Sequence, residues 1–323
     1  MEHVYGMVND RLRCMMSATV PQDGPLKAVE MYDLGLCDPV RIFVKKEPHN
    51  VEKMANQRYR LVASVSIIDE IIERLLCSTQ NNAEIDSWET CPSKPGFGLS
   101  SDEQTRKLYN QVEPHMGENL YKSDISGWDW NYHAWLYDLD RSVREKCASG
   151  EGHATWSKLL RVRFEALKWT MFVTSDGEVF IQTKPGIMLS GSYLTSSTNS
   201  RSRVGAATIC GADWAMAMGD DCVEENSSLT QKQLIAAYKE CGFRIKDVGV
   251  CIDEFEFCSH VFRDGIATPQ NFWKGTFRLL SKEPDVMDLI QFIQEYRHVP
   301  RDLSLVLDYL YTLPGWCGVI EGI

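Results

Sequence analysis

Apolar residues recur along the chain with two spacings, one typical of helices and one typical of strands. Between residues 66 and 80, apolar side chains fall every three or four positions with charged residues between them, which predicts an amphipathic helix. Similar patterns predict helices over about residues 132–145, 155–168, 195–210 and 229–241, and from residue 271 towards the C-terminus. Short extended runs predict strands at residues 42–44, 61–62, 171–173 and 179–183. Helices and hairpins therefore alternate along the chain.

Two adjacent carboxylates stand at the tip of a further predicted hairpin. Residues 214–218 are an apolar run, Gly219 and Asp220 are turn residues, and residues 222–223 resume an extended strand. No basic residue lies near Asp220 and Asp221 in the sequence, so a fold keeps this pair only if water or a cation compensates their repulsion. An isolated Gly-Asp-Asp also fits a solvated turn, and the rest of the chain must decide between the two interpretations.

Length and composition indicate a globular protein. The 323 residues suffice for one large multi-lobed unit or two to three subdomains, and 44% hydrophobic with 24% charged residues argues against bulk disorder. With 34 Lys and Arg against 45 Asp and Glu, the net charge of −11 by itself disfavours a nucleic-acid partner. The 11 cysteines lack a Cys-x-x-Cys spacing, which predicts reduced thiols and no structural zinc. We expect neither a signal peptide nor a transmembrane segment.

A basic segment stands out in this acidic chain. Between Arg41 and Arg60, six Lys or Arg residues face only two acidic residues, Glu47 and Glu52. Because residues 42–44 and 61–62 are predicted strands, the cations would project from a two-strand ribbon and could clamp a triphosphate or a nucleic-acid backbone. A solvated charged hairpin is the alternative.

Asp124 and Asp129 form a second acidic pair, five residues apart. Asp124 falls at the end of a predicted strand, and Asp129 stands where the chain turns into a helix. A carboxylate at a strand end can meet the tip of a neighbouring hairpin, so Asp124 could share two cations with Asp220 and Asp221. Three carboxylates suit Mg²⁺, whereas Asp-x4-Asp alone also fits a helix cap.

A run of small polar residues opens the helix predicted over residues 195–210. Ser190 and Gly191 precede it, and Thr195 and Asn199 are four residues apart, so they would share one helical face. Stacked hydroxyl and amide groups can bind a sugar. An ordinary polar first turn fits this stretch equally well.

Taken in order, the basic ribbon, Asp-x4-Asp, Ser-Gly-x3-Thr-x3-Asn and Gly-Asp-Asp resemble the RNA-dependent RNA polymerases of positive-strand RNA viruses. Residues 38–49, 57–62, 92–96 and 257–260 look most like the sobemovirus, polerovirus and barnavirus group, and the resemblance covers roughly residues 35–280. It implies an α+β right-hand polymerase fold, in which an antiparallel-sheet palm with an RRM/ferredoxin-like core joins fingers and a helical thumb.

The resemblance also implies a division into domains. The expected parts are fingers at 1–118 with the basic ribbon at 41–62, palm at 119–149, a fingers insertion at 150–186, palm at 187–265, and a truncated thumb at 266–323. Family members usually carry more fingers sequence before the ribbon, so we expect this chain to be a fragment or a minimal version.

The implied activity is template-directed transfer of a nucleoside monophosphate from an NTP to an RNA 3′-hydroxyl, by a two-metal mechanism. Asp124 and Asp220 would be the main ligands of two Mg²⁺ ions, with Asp221 assisting, and Mn²⁺ could substitute. Lys246 lies near the position of a lysine that the family is proposed to use as a general acid towards pyrophosphate. Lys239 competes for that role, and a plain surface lysine is the other interpretation.

Substrate contacts are carried over in the same way. Lys45 and Arg60, helped by Lys46 and Arg58, would hold the incoming triphosphate. A second set would surround the ribose 2′-hydroxyl, which separates RNA from DNA: Asp129, Ser190, Gly191, Thr195 and Asn199.

The expected partners are template and nascent RNA, NTPs, a genome-linked protein primer and other viral replicase proteins. The expected location is the host-cell cytoplasm, in membrane-associated replication complexes reached through other proteins. Two alternatives stay open. One is a reverse transcriptase-like palm polymerase, although such enzymes usually block the 2′-hydroxyl with an aromatic residue where Asp129 and Asn199 would admit it. The other is a catalytically incomplete RNA-binding fragment of a viral replicase.

Overall fold

A computed structural model describes residues 2–19, 26–49, 51–99 and 101–321, which form thirteen α-helices and eleven strands. The first part contains α1 (Glu2–Ser17), α2 (Ala28–Asp33), β1 (Val40–Val44), α3 (Val51–Ala55), β2 (Leu61–Ser64), α4 (Ile67–Asp86) and α5 (Asp102–Val112). The middle part contains β3 (Gly117–Ile125), α6 (Ala134–Lys146), α7 (His153–Lys168), β4 (Met171–Val173), β5 (Val179–Ile181) and α8 (Thr195–Ile209).

The remaining elements alternate between hairpins and helices before the chain becomes helical. They are β6 (Trp214–Met218), β7 (Asp221–Glu225), α9 (Gln231–Glu240), β8 (Ile245–Cys251), β9 (Phe255–Phe257), β10 (His260–Arg263), β11 (Ile266–Pro269), α10 (Phe272–Leu280), α11 (Val286–Glu295), α12 (Pro300–Tyr311) and α13 (Pro314–Glu321). These bounds confirm the predicted helices and hairpins within a few residues. Of the predicted C-terminal helical segment, residues 322 and 323 lie outside the described residues.

A central four-stranded antiparallel sheet has the order β6-β7-β3-β8. The β6–β7 hairpin pairs Met218 with Asp221, and the β3–β7 ladder reaches Ser123 opposite Cys222. Asp124 therefore leaves the ladder at the same end as Asp221. Small side chains of α8, β6 and β7, such as Ala207, let the helix pack closely against this sheet.

The basic segment forms part of a second sheet with the order β2-β1-β4-β5. Strands β1 and β2 pair antiparallel, as predicted for the two-strand ribbon, and β1 also pairs with β4 in parallel. The connection between the ribbon strands contains the short helix α3. Strands β9, β10 and β11 form a third, three-stranded sheet.

Helix α4 is longer than its apolar pattern predicts, since it begins at Ile67 and continues to Asp86. The Ser66 side chain caps its start by accepting a hydrogen bond from the Asp69 amide at 3.2 Å. The last turns carry Asn81 and Glu84, which are buried and bind arginines of α6 and α8. Polar partners from other helices therefore extend α4 past the point where its apolar periodicity ends.

Of the four hydrophobic clusters among the described residues, the three larger ones form most of the core. The largest joins the N-terminal helices to α6 and α7 and includes Met15, Ile72 and Phe164. A second cluster lies among α5, the central sheet and the β9–β11 sheet, and a third lies within α10–α13. Several cysteines of these clusters, such as Cys77, are buried thiols, as expected.

In the part of the chain that the structure describes, no single helix is long and apolar enough to cross a bilayer. Pro300–Tyr311 and Pro314–Ile320 reach the needed length and composition only as a pair, which is bent by 117°.

Candidate active site

The Gly-Asp-Asp turn places two carboxylates at the open end of the central sheet. Gly219 has a φ of +63°, a left-handed conformation that glycine adopts without the strain other residues would suffer. Burial, and then the negative charges of Asp220 and Asp124, raise the pKa of Asp221 from 3.8 to about 6. The three carboxylates predicted to act together are therefore close enough to repel one another.

Lys246 provides the cation nearest to Asp124. Its Nζ donates a hydrogen bond to Asp124 Oδ2 at 2.8 Å, and this bond raises the lysine pKa. The contact follows from the β3–β8 register, which sets Asp124 opposite Asp247. The structure thus brings Lys246 into the carboxylate cluster, whereas its competitor Lys239 is exposed on α9. The general-acid role of Lys246 stays a prediction.

The predicted metal site offers carboxylate oxygens of Asp124, Asp220 and Asp221 as donors. Within the described ranges, no group of three or more His, Cys, Asp or Glu side chains is gathered closely enough to hold an ion. The donor chemistry nevertheless fits Mg²⁺, because the mutual repulsion around Asp221 leaves negative charge on hard oxygen atoms uncompensated. Asp124, Asp220 and Asp221 could therefore hold divalent cations once their side chains close around them.

Asp129 joins the ribose-binding candidates to this cluster. Burial, followed by the charge of Asp220, raises its pKa from 3.8 to about 6, while Arg60 and a hydrogen bond from Asn199 act in the opposite direction. Asn199 Oδ1 also accepts a hydrogen bond from Trp128 Nε1 at 2.9 Å, which fixes its amide. Residues from the ribbon, the β3–α6 connection, α8 and the Gly-Asp-Asp turn therefore converge on Asp129.

The loop before α8 docks against the basic ribbon. Ser190 Oγ accepts a hydrogen bond from the Ala63 amide at 3.2 Å, and the Gly191 amide donates to the Ala63 carbonyl at 2.9 Å. A Cβ atom on Gly191 would lie 2.3 Å from that carbonyl oxygen, so only glycine fits. Thr195 Oγ1 lies 2.7 Å from the carbonyls of both Leu189 and Ser192, so its hydroxyl proton is used to fold this loop.

The basic ribbon meets a C-terminal helix around Glu47. The Glu47 carboxylate lies 3.4 Å from Lys45 Nζ, 3.6 Å from Arg60 Nη1 and 3.5 Å from Arg278 Nη2 of α10. Burial opposes its ionisation, but Lys45, Lys274 and Arg60 outweigh that effect and lower the pKa of Glu47. The other two predicted cations of the ribbon are exposed: Lys46 and Arg58.

Two contacts of the Gly-Asp-Asp hairpin were not predicted. Ser200 Oγ of α8 accepts a hydrogen bond from the Gly219 amide at 3.0 Å. On the other side, the Lys94 amide donates to the Ala217 carbonyl at 2.8 Å, and the Ala217 amide donates to the Pro92 carbonyl at 3.1 Å. The only sequence signal for the second contact is the Pro-Ser-Lys-Pro-Gly stretch at 92–96, which has no obvious chemistry of its own.

Comparisons with known proteins agree with this arrangement. A protein-family profile described as "Viral RNA-directed RNA-polymerase" matches residues 25–271. The chain is 40% identical over 294 residues to the RNA-directed RNA polymerase of Mushroom bacilliform virus, and the match covers 84% of this chain and 68% of that protein. It is 39% identical over 314 residues to Protein P1-P2 of Potato leafroll virus, covering 90% of this chain and 28% of that protein.

Two further similarities concern a polyprotein and a solved structure. The chain is 39% identical over 282 residues to Replicase polyprotein P2AB of Southern bean mosaic virus, covering 84% of this chain but only 29% of the polyprotein. The fold superimposes with a TM-score of 0.61, at 14% identity, on an insertion-loop deletion mutant of the RNA-dependent RNA polymerase of a human picorbirnavirus. That match covers 88% of this chain and 61% of the other, and it confirms the α+β polymerase fold expected from the sequence.

Proposed function

The chain belongs to the viral RNA-directed RNA polymerase family, and we propose that it replicates a positive-strand RNA genome by template-directed transfer of nucleoside monophosphates to an RNA 3′-hydroxyl. The observation that carries this proposal is the convergence on Asp129. One carboxylate there is in electrostatic contact with a candidate metal ligand, Asp220, and with a candidate triphosphate-binding cation, Arg60. It also accepts a hydrogen bond from Asn199. Metal, phosphate and sugar contacts would thus meet at one nucleotide.

The residues of the chain would bind and orient the reactants. Arg60 and Lys45 would neutralise the triphosphate, and Asp129 with Asn199 would hydrogen-bond the ribose 2′-hydroxyl. When bound by Asp124 and Asp220, with help from Asp221, two Mg²⁺ or Mn²⁺ ions supply activation of the 3′-hydroxyl and stabilisation of the leaving pyrophosphate.

Proton supply to the leaving group would come from the chain itself. Lys246 keeps its proton beside Asp124, because the carboxylate stabilises the ammonium form and raises the lysine pKa. We retain it as the general acid towards pyrophosphate.

Incorporation of labelled ribonucleotides on an RNA template tests the proposal. The unmutated chain should incorporate them with Mg²⁺ or Mn²⁺, and Asp220→Ala should lose nearly all incorporation. Asp213→Ala is the matched control, since Asp213 is an exposed carboxylate before the other end of strand β6, where it accepts hydrogen bonds from the Ser227 amide and hydroxyl. Absence of incorporation by the unmutated chain would instead support an RNA-binding fragment.

The same assay addresses the reverse transcriptase alternative. The hydrogen-bonded Asp129–Asn199 pair favours a ribose hydroxyl, so ribonucleotides should be strongly preferred. Equal use of deoxynucleotides would support a reverse transcriptase.

Partners and location extend the proposal. The polyprotein names of relatives support a chain that works with other viral proteins. We propose that these partners include a genome-linked protein primer and that the chain acts in membrane-associated complexes of the host-cell cytoplasm. Transfer of the first labelled nucleotide to a viral protein would support protein priming, whereas efficient synthesis by the purified chain alone would contradict it. Accumulation of the tagged chain in the nucleus would contradict the proposed location.

A further inference from the structure

A fully buried polar cluster lies beneath the candidate metal ligands and has no part in the chemistry described above. It consists of Arg203 from α8, Ser123 from β3, Glu224 from β7 and Tyr238 from α9. Ser123 is 5% exposed and the other three side chains are 0% exposed. Four separate elements therefore meet at one set of buried hydrogen bonds, which we call the buried network.

The members of the buried network bind one another in closed loops. Arg203 Nη1 donates to the Tyr238 hydroxyl at 2.6 Å, and that hydroxyl donates to the Glu224 carboxylate, whose oxygens lie at 2.8 and 3.0 Å. Arg203 Nη2 donates to Ser123 Oγ and lies 3.4 Å from both the Ser123 carbonyl and Glu224 Oε1. Ser123 Oγ in turn donates to Glu224 Oε1. A shift of any one element would break several bonds at once.

The buried network adjoins each strand that carries a candidate metal ligand. Ser123 immediately precedes Asp124 on β3, and Glu224 lies three residues after Asp221 on β7. The strands pair with each other beside these residues, where Ser123 stands opposite Cys222. The positions of the two carboxylates therefore depend on how the buried network sets these strands.

Helix α8 connects the buried network to the ribose-binding candidates. Asn199 contacts Asp129, Ser200 accepts from the Gly219 amide, and Arg203 lies one helical turn further along. Residues three and four apart lie on one helical face, so these three contacts move together. A displacement at the sugar-binding end of α8 would reach both metal-binding strands through Arg203.

Stability alone does not account for this arrangement. Buried ion pairs lose hydration that their attraction only partly returns, and well-packed apolar side chains of similar volume are often as stable. Arg203 Nε is also buried without a hydrogen-bond partner, which adds to that loss. Apolar side chains in place of the buried network would lose the hydrogen bonds that fix the relative positions of β3, β7, α8 and α9.

We propose that Arg203, Glu224 and Tyr238 are positioning residues that hold the strands bearing Asp124 and Asp221 in register with the ribose-reading helix α8. This inference rests on the proposed polymerase function. It assigns these residues no contact with substrate or metal. Their effect is on the geometry of carboxylates that they do not touch.

Binding of Mn²⁺ tests the proposal without depending on turnover. The electron paramagnetic resonance signal of free Mn²⁺ is measured as the full chain is titrated, for the wild type and for the near-isosteric variants Tyr238→Phe and Glu224→Gln. Each variant should raise the apparent Kd for Mn²⁺ by up to about 10-fold, the lower end of the loss caused by removing direct partners of metal ligands, because the buried network acts one step further from the metal. The double variant should bind Mn²⁺ only slightly more weakly than the weaker-binding single variant, because both substitutions disrupt the same buried network.

A matched control separates positioning from general stability. Asp69→Asn breaks a carboxylate of α4 that is 1% exposed and paired with Arg11 of α1 and Arg163 of α7, none of which belongs to the central sheet. It should lower the melting temperature as the network variants do but leave the Kd for Mn²⁺ unchanged. In incorporation assays, the network variants alone should also reduce the preference for ribonucleotides over deoxynucleotides.

The outcomes are distinguishable. Network variants that melt earlier yet bind Mn²⁺ and select ribonucleotides like the wild type would overturn the inference and leave the polymerase function standing. A wild-type chain that neither binds Mn²⁺ nor incorporates nucleotides would overturn both.

Discussion

Replacing Asp221 with Asn should stabilise the metal-free protein at neutral pH, even though it should impair the enzyme. Burial and the charges of Asp220 and Asp124 raise the pKa of Asp221 from 3.8 to about 6. Raising the pKa from 3.8 to about 6 corresponds to roughly 3 kcal/mol, at about 1.36 kcal/mol for each tenfold change in proton affinity. Part of the side chain is exposed to solvent, which screens the repulsion, so we expect a gain in unfolding free energy of about 1 kcal/mol.

The sign of the pH dependence follows from the same shift. The folded protein binds the Asp221 proton more tightly than the unfolded chain does, because its pKa is raised on folding. Ionisation of Asp221 therefore destabilises the folded protein. This effect is absent below about pH 4, grows as the pH rises, and is complete above about pH 6. Asp221→Asn should match the wild type near pH 4 and exceed it at pH 7.

Urea unfolding in the presence of EDTA, repeated between about pH 4 and pH 8, measures this difference. Added Mg²⁺ should stabilise the wild type more than the variant and so reduce or reverse the gap. Asp213→Asn is a control that should lower the stability at pH 7, because hydrogen bonds from the Ser227 hydroxyl and amide stabilise the ionised carboxylate and lower the pKa of Asp213. A variant Asp221→Asn that is no more stable than the wild type at pH 7 would refute the claim that the cluster holds uncompensated charge.

Three further predictions concern the site. At subsaturating Mg²⁺, incorporation should fall steeply below about pH 6, where Asp129 and Asp221 take up protons; a flat profile down to pH 5 would contradict this. Gly191→Ala should lose about 1–3 kcal/mol of stability in urea unfolding and raise KM for NTPs, since its Cβ would lie 2.3 Å from the Ala63 carbonyl oxygen. An unchanged melting transition would show that the loop is not held there. Lys246→Leu should lower kcat by about 10²-fold in single-nucleotide incorporation, whereas Lys239→Leu should not, and equal effects of the two would argue against Lys246 as the general acid.

Local patterns in the sequence are sufficient to predict the helices and strands that carry the candidate site. The apolar run and the glycine that follows it predict the hairpin. A tight turn of this kind needs a residue with a positive φ, and Gly219 has a φ of +63°. The polar opening of α8 and the two ribbon strands follow from similar short-range rules. The order of these motifs along the chain was specific enough to indicate the polymerase family, which the comparisons confirm.

The length of α4 shows where such rules end. Its apolar periodicity stops near residue 80, but the helix continues to Asp86 because Asn81 and Glu84 find arginine partners on other helices. Periodicity detects faces that contact an apolar core. It does not detect polar faces whose partners are supplied by distant segments.

The contacts within the site were decided by the tertiary structure alone. Lys246 and Asp124 are 122 residues apart, and Arg203 and Ser123 are 80 apart. Neither pairing follows from helix or strand patterns, because those patterns depend on neighbours a few residues away. Sheet register and helix packing determine which distant side chains meet. Local sequence patterns therefore indicate which elements and candidate residues are present, whereas the packing of α8 and α9 on the central sheet brings a subset of them into one site.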